Sequence, residues 1–265
     1  MKSFNDKKDN YLANYDNTYS FDIHLLKVNN LESINCQDTI VAEFPLGLVV
    51  NGEYENTFLC SPYNLKELVI GYLCSKNMIF CKDDILNFEM NQDEKIAYVN
   101  IDKSKINHKK NIIYLNEYDF LEADYIHNDN VKINVSDIYK TMEYNLNLSQ
   151  VFKNTAGVHC VSIFGNNELI IACEDVARHN AMDKVIGHCI LNDIPLDDKI
   201  IFISGRLSFE MIKKAAIVKV PIIVAKSAIT SLAIETAQKL NITLVGFVRD
   251  KKMNIYTNPY RILFK

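Results

Sequence analysis

The sequence predicts an α+β protein, an N-terminal α+β part packed on a C-terminal α/β part, on three observations. Before residue 101 there are several short alternating or β-branched runs with one helical pattern among them. Between Lys199 and Val248 apolar strands and amphipathic helices succeed one another as β-α-β-α-β. Separating the two, residues 102–135 are polar, punctuated by Asn and Asp, and hold NIIYL as their one convincing strand.

In chain order, residues 1–20 read as a disordered polar tail, 21–135 as an N-terminal domain ending in a mobile connector at about 102–135, and 136–265 as the second domain. FDIHLLKV (Phe21–Val28) and TIVAEFPLGLVV (Thr39–Val50) are predicted strands, and Asn51-Gly52 is a tight turn. After Tyr54–Cys60, Ser61 is the expected N-cap of a helix with Pro62 in its first turn and Leu65, Leu68, Val69, Tyr72 and Leu73 on one face. DILNFEM and KIAYVNI flank NQDE as a hairpin. Ser136 is the expected cap of a helix striped by Ile138, Met142 and Leu146 and running on toward Phe152.

In the second part VHCVSIF and ELIIACE form a hairpin through Gly165-Asn166-Asn167. KIIFIS, a helix capped by Ser208, PIIVAKS, a helix capped by Thr230, and ITLVGFV then predict a parallel sheet with right-handed crossovers. That topology brings Ser204-Gly205-Arg206, Ser227-Ala228-Ile229-Thr230 and Phe247-Val248-Arg249-Asp250-Lys251-Lys252 to one sheet edge. Two of these loops open helices, whose free N–H groups and positive dipole ends suit an anion. With Arg206, Arg249, Lys251 and Lys252 they predict a phosphate or pyrophosphate site, against the plainer alternative of ordinary βα loops with exposed basic residues.

The segment CEDVARHNAMDKVIG (Cys173–Gly187) reads as a strand end turning into a highly charged helix. Glu174/Arg178, His179/Asp183 and Asn180/Lys184 are i,i+4 neighbours, as on a solvated face of ion pairs; the alternative is a pocket wall in which Glu174, Asp175 and Asp183 fix Arg178 and His179.

The 48% hydrophobic content suits a globular core, and a formal net charge of -4 argues against general nucleic-acid binding. No run reaches the roughly 18 apolar residues of a membrane span, and the polar N-terminus is no secretory signal, so a cytoplasmic protein is expected. The seven cysteines include no C-x-x-C pair and read as reduced, mostly buried thiols. Cys160 and Cys173 lie in predicted strands, and alternation puts Cys160 on the face opposite His159. Zinc-dependent deamination needs H-x-E and P-C-x-x-C, and neither occurs.

The motifs EFPLGLVVNGE, SPYNLKELVIGYL, NTAGVH, EDVARHNAMDKVIG, SGRLSFEMIKKA, VPIIVAKSAITSLAIETA and LVGFVRDKKMNIY together resemble the FdhD/NarQ family, the formate dehydrogenase accessory sulfurtransferases. The resemblance implies a dimer whose C-terminal part is a cytidine-deaminase-like α/β/α layer arrangement with a mixed sheet. It implies transfer of persulfide sulfur from a cysteine desulfurase to the molybdenum or tungsten bis-guanine-dinucleotide cofactor of formate dehydrogenase, with GDP as a possible analogue. The family's cofactor-binding segment falls on Phe247–Lys252, and the matching motifs add Thr155, His159, Arg178, His179, Arg206 and Ser227 as pocket residues beside Ser204 and Gly205 of the converging loops.

One departure stands out. The family carries a C-G-x-C-G motif between its two halves, whose first cysteine bears the persulfide, but this sequence has no cysteine between Cys81 and Cys160. Two functions therefore stand side by side: a sulfurtransferase using another thiol, and a non-catalytic cofactor- or nucleotide-binding chaperone without the sulfur chemistry.

Overall fold

Alternating apolar positions organise the N-terminal sheet in the computed structural model, which describes residues 20–91, 93–102, 104 and 128–264. Strands β1 (Ser20–Asn29) and β2 (Glu32–Val41) pair with each other as a two-stranded ribbon. Strands β3 (Phe44–Val50), β4 (Glu53–Cys60), β5 (Ile85–Asn91) and β6 (Ile96–Ile101) form a sheet in the order β4-β3-β6-β5. The expected single strand over residues 39–50 is thus two strands in different sheets, broken at Ala42-Glu43. Leu46, Leu48, Val50, Ala97 and Val99 are buried in one apolar cluster with Leu68, Val69 and Leu73 of helix α1 (Leu65–Ser75).

The cap of α1 is Asn64, in the left-handed region at φ 50, rather than Ser61. Ser61 is spent elsewhere: its backbone N–H donates to Asp175 Oδ2 at 3.0 Å and its hydroxyl accepts from the Val176 N–H at 3.2 Å. The connector strand NIIYL lies outside the described residues.

A short strand β7 (Ile133–Asn134) leads into helix α2 (Val135–Leu148), which Asn134 precedes as cap, so Ser136 sits inside the first turn. The helix does not run on to Phe152. Ser149 interrupts it and accepts the Phe152 N–H at 2.8 Å, capping a separate helix α3 (Gln150–Thr155).

The second sheet contains β8 (His159–Gly165), β9 (Glu168–Asp175), β10 (Ile200–Ile203), β11 (Ile222–Ala225), β12 (Thr243–Arg249) and β13 (Lys252–Thr257), in the order β13-β12-β11-β10-β8-β9. The neighbours β10, β11 and β12 are parallel, whereas β8, β9 and β13 join antiparallel, giving the expected mixed sheet. The run Ile200–Ile203 is apolar throughout because both faces are covered. Ile201 and Ile203 pack with helices α4 (Arg178–Leu191), α5 (Phe209–Ile217) and α6 (Ser231–Lys239), while Ile200 and Phe202 pack with Ile138 and Met142 of α2. A last strand β14 (Ile262–Leu263) pairs with β7. No helix among the described residues is long and apolar enough to cross a membrane.

The two sheets are joined where α1 crosses α4 at backbone contact. A Cβ added to Gly71 would lie 1.8 Å from the Asp183 carbonyl oxygen, and one added to Gly187 would lie 1.9 Å from that of Glu67. Only glycine admits this approach.

Candidate functional site

The loops after β10, β11 and β12 are held together by backbone bonds. The Lys226 N–H donates to Ile203 O at 3.0 Å, Thr230 N–H to Leu207 O at 3.0 Å, and Phe247 N–H to Ser227 O at 3.1 Å. The Ser227 hydroxyl donates to Ser204 O at 3.2 Å, and Ser204 Oγ accepts the Cys160 N–H at 3.0 Å. The parallel order of the three strands therefore presents their carboxyl ends as one surface, flanked by the start of β8.

Two adjoining cavities open on it. One, of about 450 Å³, has His159, Ser204, Gly205, Arg206 and Ser227 along one side, with Arg178 at the start of α4 and the Ser149–Val158 region around it. The other, of about 790 Å³, lies between α2, through Val135, Tyr139, Met142 and Glu143, and the β12–β13 turn, through Val248, Arg249, Asp250 and Lys251. Leu146 and Lys226 border both.

Close packing sets the smaller cavity. A Cβ on Gly205 would lie 3.2 Å from His159 Nδ1 and 3.4 Å from Arg178 Cδ, so a larger residue would press on both. Burial first, and the Arg178 guanidinium second, lower the His159 pKa below its ordinary 6.5, which leaves a neutral ring at pH 7. The Nε of Arg178 is buried and has no hydrogen-bond partner among the described residues. A buried donor without an acceptor is costly, and an anionic ligand would satisfy it.

The remaining expected residues divide. Thr155 does not line either cavity; its hydroxyl donates to Val151 O at 2.7 Å and accepts the Gly157 N–H at 3.1 Å, closing α3. Phe247 has a left-handed φ of 54, and Arg249 lies 5.9 Å from its ring centroid. Lys252 begins β13 opposite Arg249, across a two-residue turn in which Asp250 and Lys251 have φ of 50 and 56. Neither Phe247 nor Lys252 borders the cavities. His179 faces α5, with its Nδ1 3.7 Å from Glu210 Oε2.

The charged corner is not a solvated face, and its carboxylates Asp175 and Asp183 bond to partners other than Arg178 and His179. Glu174 and Asp175 end β9, and both are fully buried. Asp175 accepts from Lys184 Nζ at 2.7 Å, Asn180 Nδ2 at 3.0 Å, and the backbone N–H groups of Ser61 and Ala177 at 3.0 and 2.9 Å. Lys184, whose side chain is also at 0% exposure, donates to Ser61 O at 3.2 Å and sits 4.3 Å over the Tyr63 ring. Asp183 accepts from Ser75 Oγ at 2.7 Å and from Lys214. The i,i+4 pairs expected from spacing are absent from these bonds because longer-range partners take the charges. Only Arg178 of this segment borders the pocket.

Sequence reasoning missed Lys226, Tyr139 and Glu143. Lys226 had a signal, a lone cation closing the apolar run PIIVAKS at a strand's carboxyl end. Tyr139 had none beyond the helix pattern.

Four of the seven thiols are poorly placed for nucleophilic chemistry. Cys160 is buried, its Sγ is 3.4 Å from Asn145 Oδ1, and burial with the nearby Glu174 carboxylate holds its pKa well above the usual thiol value. Burial likewise pushes Cys60, Cys173 and Cys189 up to about 12. A thiolate is the attacking form, and these four remain thiols at neutral pH. Cys36 and Cys81 are half-buried.

The sequence profile described as the FdhD/NarQ family matches residues 41–263. A protein named sulfur carrier protein FdhD from Bacillus pumilus is 40% identical over 240 residues, covering 85% of this chain and 90% of its own. One of the same name from Bacillus subtilis is 37% identical over 243 residues, covering 85% and 91%. A crystal structure of a candidate formate dehydrogenase accessory protein from Desulfotalea psychrophila superposes with a TM-score of 0.77 at 22% identity, covering 92% of this chain and 100% of that one. The last likeness speaks to the fold.

Proposed function

This chain belongs to the FdhD/NarQ family, and from that premise we propose that it is an accessory protein of formate dehydrogenase that binds the guanine-dinucleotide form of that enzyme's molybdenum or tungsten cofactor. The names of the 37–40% identical sulfur carriers support the assignment to sulfur delivery. The observation that carries the binding role is the pair of adjoining cavities, bordered by Arg178, Arg206, Lys226, Arg249 and Lys251, with a buried Arg178 Nε that has no partner among the described residues. Pyrophosphates would satisfy those donors. The cofactor is cargo here, and its metal is the sulfur acceptor. Cysteine desulfurase as sulfur donor, a homodimer as the assembly and a cytoplasmic setting complete the reading.

Calorimetric titration with GDP tests the pocket. Arg206→Ala is expected to weaken GDP binding by roughly tenfold, the effect of losing one charge-assisted hydrogen bond. GDP that fails to bind, or an affinity indifferent to Arg206→Ala and Arg249→Ala, would remove the proposed pocket.

A second reading is favoured by the thiols themselves: a chaperone that holds the cofactor without carrying sulfur. Sulfur carriage needs a thiolate that accepts the outer sulfur of a desulfurase persulfide. Four thiols are kept protonated by burial, and no cysteine lies between Cys81 and Cys160. Incubation with a cysteine desulfurase and cysteine, followed by intact-mass analysis, separates the readings. Cys60, Cys160, Cys173 and Cys189 are expected to gain no sulfur. An added sulfur atom on Cys36, Cys74 or Cys81 would restore the carrier reading, and an unmodified mass would leave the chaperone.

A further inference from the structure

Strands β1 and β2 pair along their whole length without a register shift, and among the described residues no third strand joins them. A lone two-stranded ribbon is marginal in water and leaves both edges open, so a long one calls for a surface that covers it. The register sorts its side chains onto two faces. One face carries Asp22 opposite Thr39 and His24 opposite Gln37, joined by cross-strand hydrogen bonds of 2.7 and 3.2 Å. This polar face meets the rest of the chain: Val41 belongs to it, and a Cβ added to Gly157 would lie 2.6 Å from Val41 Cγ1.

The opposite face is apolar. It holds Phe21 opposite Ile40, Leu25 opposite Cys36 and Ile34 opposite Lys27, and Phe21, Ile34 and Ile40 are 56%, 65% and 43% exposed. Apolar side chains turned outward along a ribbon mark an interaction surface.

The charges on that face identify what covers it. Leu25 and Cys36 lie at its centre, with the pair Ile23–Asp38 on one side and the pair Lys27–Ile34 on the other. Each flanking pair holds one apolar residue and one charge, of opposite sign at the two ends. Lys27 and Asp38 are exposed, and among the described residues neither makes an ion pair. A second ribbon laid face to face and end for end, on a two-fold axis through the Leu25–Cys36 pair, sets each Lys27 diagonally across from the partner copy's Asp38 and brings the two Cys36 residues opposite each other. A two-fold axis along the strands would instead bring Lys27 to Lys27 and Asp38 to Asp38, which like-charge repulsion disfavours.

We propose that the apolar face of the β1–β2 ribbon is the contact between two copies of this chain, packed ribbon on ribbon and end for end, with Lys27 of each copy paired to Asp38 of the other. The inference rests on the homodimer reading above and assigns that dimer its interface.

Equilibrium sedimentation of the full chain, of Lys27→Asp, of Asp38→Lys and of the double exchange tests it. Each single exchange is expected to weaken dimerisation about tenfold or more, because it places like charges together at two symmetric positions. The double exchange restores the dimer, and all three variants keep the far-ultraviolet circular dichroism of the unmodified chain. A short thiol-to-thiol cross-linker is expected to join two copies through Cys36, identified by peptide mapping, and Cys36→Ser to abolish that link. A dimer indifferent to both single exchanges, a double variant no tighter than the singles, or cross-linked dimers that never include Cys36 would overturn the ribbon interface while leaving the homodimer standing. An unmodified chain that stays monomeric at every concentration, its ribbon covered by another segment or another protein, would overturn both.

Discussion

Gly71→Ala is expected to destabilise the protein by about 3 kcal/mol or more, seen as a lowered urea midpoint at unchanged slope. The sign is the informative part. In an ordinary helix interior the same change stabilises, because glycine costs roughly 0.5–1 kcal/mol relative to alanine. Here the new methyl would lie 1.8 Å from the Asp183 carbonyl oxygen, and the obstacle is backbone, which has no rotamer to escape into. Helices α1 and α4 must separate, opening the apolar cluster that Leu68, Leu73, Val185 and Ile186 share. Gly187→Ala meets the Glu67 carbonyl oxygen in the same way and is expected to cost as much. A gain in stability in either variant would refute the close crossing.

Lys184→Met is expected to cost about 3–5 kcal/mol, measured by the same denaturation. Methionine nearly matches the lysine stem in volume, so the loss is electrostatic rather than a cavity. It leaves Asp175, at 0% side-chain exposure, without its 2.7 Å cationic partner, and removes the donor to Ser61 O. Pairing it with Asp175→Asn removes the stranded charge, and the double variant is expected to recover part of the loss. Equal stability of Lys184→Met and the unmodified protein would mean that the pair contributes nothing.

What was legible in the sequence depended on distance along the chain. Strands β10, β11 and β12 could be read because each apolar run is followed by a helix of the right length, and the meeting of residues 204–206, 227 and 248–251 follows from that parallel order alone. Gly205 and Arg206 reached the site by that route. The charged corner misled for the opposite reason. Spacing suggested partners four residues away, whereas Asp175 meets Ser61 across 114 positions and Asp183 meets Ser75 across 108. Gly71 and Gly187 were silent, since a glycine that admits a neighbouring helix looks the same in sequence as one that does not. Ser61 drew attention as a helix cap because Pro62 follows it, and its real partners are out of reach of any local pattern.

The docking of the Leu59–Tyr63 turn onto the end of β9 bears on how defective variants of this protein should be interpreted. The turn supplies the Ser61 N–H and the Leu59 and Ser61 carbonyls that Asp175, Asn180 and Lys184 engage, immediately behind the residue that begins α4, Arg178. It is a backstop for the pocket, built from the other half of the chain. A lesion at Ser61 or along α1 will therefore score as a loss of ligand binding without touching the ligand. In a genetic screen such positions would be mistaken for a second site unless each is sorted by its melting temperature as well as its affinity.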